Sequence, residues 1–211
     1  MIEIKLKGLG KRFQYDWIFK NLNYNISSGS TSAITGSNGS GKSTLLKCIS
    51  GINPFTEGQI EYNLNGKEIP ASDIFKYLVI SAPYLELPEE LSLTELLKFH
   101  FKFKDPIHDL DFGGMMRKMY LEEHRNKSIY QFSSGMKQRL KLGLCLFSDV
   151  PLVLLDEPTS NLDEKGSNWY LEMIGEFGKN KTILICSNDS KEYNFCKHHI
   201  HLEDYKLIQK L

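Results

Sequence analysis

Residues 36–44 read Gly36, Ser37, Asn38, Gly39, Ser40, Gly41, Lys42, Ser43 and Thr44. This is the spacing of a phosphate loop: a glycine, four residues, then Gly-Lys and a hydroxyl side chain. The glycines let the backbone curl so that successive N–H groups point inward at phosphate oxygens. Lys42 is spaced to reach the β- and γ-phosphates, and the Ser43 hydroxyl to ligate Mg²⁺. A second group follows the apolar run Leu152–Leu155, where Asp156 and Glu157 stand side by side. Two carboxylates at the carboxyl end of a buried strand lie where open α/β sheets bind ligands. Asp156 suits a water-mediated contact to Mg²⁺, and Glu157 a general base that deprotonates an attacking water. The plainer accounts are a Gly/Ser-rich turn and a helix cap after a strand. The two groups together argue against both and predict binding of a nucleoside triphosphate.

The flanking residues supply the elements such groups need. Residues 32–35 before the phosphate loop read as a short strand. Residues 44–49 after it read as a helix, whose N-terminus adds a positive dipole at the phosphates. Ile2, Ile4 and Leu6 alternate with charged residues, and Leu22, Tyr24 and Ile26 repeat the period of two. Ser28, Gly29 and Ser30 form a turn signal. Ile60, Tyr62 and Leu64 predict a strand that ends in Asn65-Gly66, a strong hairpin signal. Residues 77–80, 150–155 and 182–186 are short apolar runs without alternation, as in strands buried on both faces of a parallel sheet. Leu93, Leu96, Leu97, Met115, Met116 and Met119 recur at helical spacing and predict a helical insertion. A closing hairpin is expected from 200–202 and 207–208.

Length and composition set outer limits. The chain has 211 residues, with 26 Lys and Arg against 26 Asp and Glu. That length favours one domain with a modest insertion. A net charge of zero argues against a broad nucleic-acid footprint. Cys48, Cys145, Cys186 and Cys196 form no C-x-x-C pair and read as reduced packing residues of a cytosolic protein. The first residues do not read as a signal peptide, and no apolar run approaches the roughly 18–20 residues needed to span a bilayer. Any membrane role is therefore expected to run through a partner.

With these groups in place, the chain resembles the ATP-binding subunit of ABC transporters over essentially its whole length. Residues 130–139 resemble the signature of that family, with Ser133, Ser134 and Gly135 at its core, just upstream of the Asp156–Glu157 strand. Residues 160–163, ending in Asp163, resemble its D-loop. Phe13 stands at the place of the aromatic that stacks on adenine, with Tyr15 and Trp17 as competitors. The resemblance implies an α/β fold: a RecA-like, P-loop NTPase parallel-sheet core, an antiparallel β subdomain and a helical insertion subdomain. It implies one ATP-binding domain over 1–211, with the core and β subdomain at about 1–87 and 141–211 and the helical subdomain at about 88–140. It also implies a shared site, in which the phosphate loop of one chain faces the signature of another. The expected assembly is then a homodimer or paired ATPase closed by ATP and Mg²⁺. It would sit at the cytoplasmic face of the membrane through a separate membrane-spanning permease, with no nucleic acid.

The chain departs from the family at three places. Asn188 stands where a histidine is usual, so its amide can donate a hydrogen bond but cannot become cationic. Residues 81–84, Ser81, Ala82, Pro83 and Tyr84, stand where a glutamine is usual, with Tyr84 as a possible replacement for its link. Ser134 takes the place of the first of two usual glycines. Hydrolysis is expected, at a reduced rate. The alternative is a soluble ATPase of the same family serving as an assembly or regulatory module; nucleic-acid maintenance is the third class. Two smaller groups read as structural. Phe99, Phe101 and Phe103 interleave with Lys98, Lys102 and Lys104 and read as the frayed end of an insertion helix. Of His198, His199 and His201, only the last two share a strand face, which does not make a metal site.

Overall fold

The computed structural model describes residues 1–206. The chain forms two compact units. The first takes residues 1–80, 151–157 and 180 onward. It holds a four-stranded antiparallel sheet in the order β2-β1-β4-β5, from β1 (Ile2–Phe13), β2 (Asp16–Ile26), β4 (Glu57–Leu64) and β5 (Lys67–Ile69). Alternation explains β1, whose Ile2, Ile4 and Leu6 are buried while Lys5 and Lys7 are exposed. Asn65 and Gly66 both take positive φ, 52° and 87°, as a tight two-residue hairpin between β4 and β5 requires.

A five-stranded sheet follows the order β6-β7-β8-β3-β9. Its strands are β3 (Thr31–Thr35), β6 (Leu78–Ser81), β7 (Leu152–Asp156), β8 (Thr182–Cys186) and β9 (His198–His201). β7 and β8 are buried along their whole length, which accounts for apolar runs with no polar face. β7 pairs parallel with β8, and β3 parallel with both β8 and β9. In this register Cys186 lies opposite Asp156 on one side and opposite Ile34 on the other. The chain segments leaving β3, β7 and β8 therefore emerge in one row. Helix α1 (Lys42–Ile49) packs Leu45, Leu46 and Ile49 into the same core as Ile34, Leu154 and Leu184.

The end of the chain differs from the expected hairpin. Leu202 is not on a strand but opens a 3-10 turn, Leu202–Tyr205, and β9 pairs with β3 in parallel. Leu202 is fully buried in the core, so its apolar character reflects packing and not strand alternation. Leu207 and Ile208 lie outside the described residues.

The second unit takes 81–150 and 158–179. Its helices are α2 (Leu93–His100), α3 (Phe112–Lys118), α4 (Ser134–Leu146) and α5 (Glu164–Phe177). Each begins on a polar cap: Ser92 in a reciprocal box with Glu95, then Asp111, Ser133 and Asp163. Its interior is lined by Leu96, Leu97, Met115, Met119 and Leu140. A Cβ at Gly143 would stand 2.2 Å from the Met119 sulfur, so α4 accepts that side chain only because residue 143 has none. α2 ends at His100, where Phe101 stacks on Phe112 while Phe99 and Phe103 remain exposed, edge to face with each other.

Candidate functional site

The loop between β3 and α1 carries residues 36–41, and three of its glycines have positive φ. Two show why no side chain is tolerated. A Cβ at Gly36 would stand 2.5 Å from a Glu203 carboxylate oxygen, and one at Gly41 would stand 2.2 Å from Ile18 of β2. Gly41 caps α1 in the left-handed conformation with no side-chain cap bond, so the first-turn N–H groups of that helix are left for a ligand. Lys42 is 6% exposed. Its Nζ donates to the carbonyls of Gly36 (2.9 Å) and Ser37 (3.1 Å), so the loop arches around its own ammonium. Ser40 Oγ, in the same loop, is buried and has no hydrogen-bond partner among the described residues.

Asp156 closes β7 and is 2% exposed. The Ser43 hydroxyl is among the groups that act on its carboxylate. Burial pushes the Asp156 carboxyl above its usual range, with neighbouring Glu157 adding to this and Ser43 and Lys42 opposing it. Its Oδ1 is buried with no hydrogen-bond partner among the described residues. A buried carboxylate oxygen left open in this way, with the Ser43 hydroxyl acting on the same carboxylate, gives a donor set of hard oxygens, and it fits Mg²⁺. Glu157 follows in the left-handed conformation, φ 46°, with its N–H bonded to the Cys186 carbonyl at 2.9 Å. That bond extends the β7–β8 ladder by one step, and the positive φ turns the chain at the strand's carboxyl end.

Asn188, two residues beyond β8, donates from Nδ2 to Asn38 Oδ1 at 2.9 Å. The structure thus brings Asn188 to the phosphate loop. Phe13, at the end of β1, is 48% exposed, with Lys11 Nζ 4.6 Å from its ring centroid. Trp17 is half-buried, with Arg12 and Lys20 over its ring. Tyr15 is 91% exposed.

Ser133, Ser134, Gly135 and Asp163 all belong to the helical unit. Ser133 accepts from the Met136 N–H, which leaves its own hydroxyl hydrogen available, and Ser134 and Gly135 form the first turn of α4. A Cβ at Gly135 would come within 3.2 Å of the Asn161 carbonyl, so signature and D-loop lie side by side. Asp163 Oδ1 accepts from the Gly166 N–H at 2.8 Å; its carboxylate already serves as the N-cap of α5.

Four contacts have no local signal in the sequence. Glu203 accepts a hydrogen bond from the Ser37 N–H, and this contact holds its carboxyl below the usual range. The partners are 166 residues apart. Thr35 Oγ1 bonds His201 Nδ1 at 2.7 Å, and the His199 and His201 rings stack at 6.2 Å. Ile18 seats the β1–β2 hairpin on Gly41.

The family model for ABC transporters matches residues 19–160. An ABC transporter ATP-binding protein of Bacillus subtilis, YybJ, is 30% identical over 90% of this chain and 86% of its own length. The lantibiotic transport ATP-binding protein SrtF of Streptococcus pyogenes is 31% identical over 96% of this chain and 84% of its own. Among solved structures, the bacterial ABC transporter cassette MJ0796, determined as a dimer, superposes with a TM-score of 0.79 at 24% identity, over 94% of this chain and 93% of its own. That last likeness speaks to the fold. The family match spans more than half of the chain and meets the phosphate loop and the Asp156–Glu157 pair in one segment; the chain belongs to the ABC transporter family, as one of its ATP-binding ATPase subunits.

Proposed function

We propose that this chain hydrolyses ATP–Mg²⁺ at the phosphate loop and uses the cycle to drive transport through a separate membrane-spanning subunit. The observation that carries the site is Asp156 Oδ1, buried with no hydrogen-bond partner among the described residues, on a carboxylate influenced by Ser43 and Lys42. Residues 36–44 and the start of α1 cradle the phosphates, with Lys42 leaving the Gly36 and Ser37 carbonyls for phosphate oxygens. Ser43 and, through water, Asp156 would hold Mg²⁺, which would supply positive charge toward the phosphates. Among the described residues no group of three or more His, Cys, Asp or Glu could hold a metal. Glu157 orients and deprotonates the attacking water. Asn188 donates to the γ-phosphate by exchanging its bond to Asn38. Phe13 is the ring that stacks on adenine.

Each chain has one phosphate loop and one signature. Two chains, or this chain and a paired ATPase, close over ATP, with Ser133, Ser134 and the Gly135 N–H gripping the γ-phosphate across the interface and Asp163 beside it. The dimeric MJ0796 cassette supports this arrangement. Residues 88–140 form the helical subdomain of the single ATP-binding domain. No helix among the described residues is long and apolar enough to cross a membrane, so work on a membrane passes through the partner, with this chain at its cytoplasmic face. The second reading, a soluble assembly or regulatory ATPase, draws on Asn188 and on the absence of a glutamine in residues 81–84.

Phosphate release at saturating ATP tests the activity, and co-purification with a multi-span membrane protein separates the two readings. EDTA should abolish turnover and added Mg²⁺ restore it, while turnover that survives EDTA would exclude the metal role. Asn188→His should raise turnover. Asn188 is exposed, so an imidazole has room there, and it can carry a fuller charge toward the γ-phosphate. One charge-assisted hydrogen bond is worth about 1.5–3 kcal/mol, which caps the gain at about tenfold to a hundredfold in rate. A rate at or below the parent would mark Asn188 as adapted to its bond with Asn38.

A further inference from the structure

The segment between β6 and α2 is held by α4 through two lysines one helical turn apart. Lys137 pairs with Glu89. Lys141 Nζ donates to the carbonyl of Ala82 at 3.3 Å. Ala82 is 1% exposed and has no polar side chain, so the bond is made to the main chain itself. Neighbouring bonds anchor the same segment from the other side: Ser128 Oγ and the Tyr130 N–H both donate to the Glu89 carbonyl. These residues all lie in the helical unit.

The two ends of this connection bear on the proposed chemistry. α4 begins at the signature residues Ser134 and Gly135. Ala82 follows Ser81, the last residue of β6, and β6 is the neighbour of β7, which carries Asp156. A half-buried ammonium is costly to keep, and burial pulls Lys141 below the usual lysine range, with Glu86 opposing the shift and Lys137 adding to it. An alkyl side chain would fill the same space without that cost.

We propose that Lys141 is a positioning residue for ATP hydrolysis: its ammonium fixes the Ala82 main chain to the signature helix, so that the segment leaving β6 and the signature move as one piece. The inference rests on the ATPase reading above. Its bond is to the main chain, so its effect is on the alignment of the closed state and falls on kcat.

The test is steady-state phosphate release by the parent, Lys141→Met and Lys141→Arg, with KM for ATP and thermal melting recorded for each. For Lys141→Met, kcat should fall about ten- to a hundredfold, the scale of one charge-assisted hydrogen bond, with KM little changed. Lys141→Arg, which keeps a charged donor, should recover at least half of the loss. Should Lys141→Met fail to fold, Lys141→Leu, which also lacks a donor, replaces it and must show the same fall in kcat. Unchanged kcat, a rise in KM in place of the fall in kcat, or an arginine variant no better than methionine would each overturn the proposal. A parent without ATPase activity would overturn the ATPase reading itself, whereas an active parent with an unaffected methionine variant would overturn only the role of Lys141.

Discussion

Lys42→Ala is expected to weaken ATP binding by about a hundredfold or more. Lys42 is the only cationic side chain between residues 36 and 44. Each hydrogen bond from a charged donor to a phosphate oxygen contributes about 1.5–3 kcal/mol, so losing two exceeds a factor of one hundred. The structure adds a second cost. The ammonium bonds the Gly36 and Ser37 carbonyls, so the arch that aims the loop's N–H groups loses its central support. Lys42→Met separates the two effects in part, because it keeps the buried stem while removing the charge. Titration with a fluorescent ATP analogue measures both variants. Affinity within threefold of the parent in either one would remove residues 36–44 as the phosphate site.

Glu157→Gln is expected to leave ATP binding intact and to lower turnover by about two to four orders of magnitude, the usual worth of a general base. Glutamine matches glutamate in shape, so the left-handed backbone at 157 and its bond to the Cys186 carbonyl are kept. The carboxylate's ability to take a proton from water is lost. ATP should then persist in the site and the closed dimer should accumulate. Light scattering with ATP and Mg²⁺ should report twice the mass of the apo chain. A variant that turns over ATP like the parent would reassign the base. A variant that stalls yet stays monomeric at saturating ATP would argue against a site shared between two chains.

The features legible in the linear chain are those whose physics is local. Curling a backbone around phosphates takes glycines and a lysine within nine residues, so residues 36–44 carry their own signal. A strand buried on both faces needs an unbroken apolar run, so β7 and β8 announce themselves, and Asp156 and Glu157 with them. The Asn65-Gly66 turn is equally self-contained, because both residues must take positive φ. Leu202 reads as a strand residue but opens a turn, because it is apolar for the sake of the core, and periodicity cannot tell a core anchor from a strand residue.

Which segments meet was decided only by tertiary structure. Parallel pairing sets β3 beside β8 and β9, bringing together residues some 150 or more positions apart. No short-range pattern encodes such a partnership, because the hydrogen bonds of a parallel ladder carry no side-chain identity. Register then placed Asp156, Cys186 and Ile34 in one row. The same pairing delivered the Asn188 amide to Asn38, Glu203 to the Ser37 N–H and His201 to Thr35. The sequence by itself determined that a phosphate loop and a carboxylate pair exist. The sheet decided their common edge and the side chains that close around them, because strand order and register are properties of the packed core as a whole.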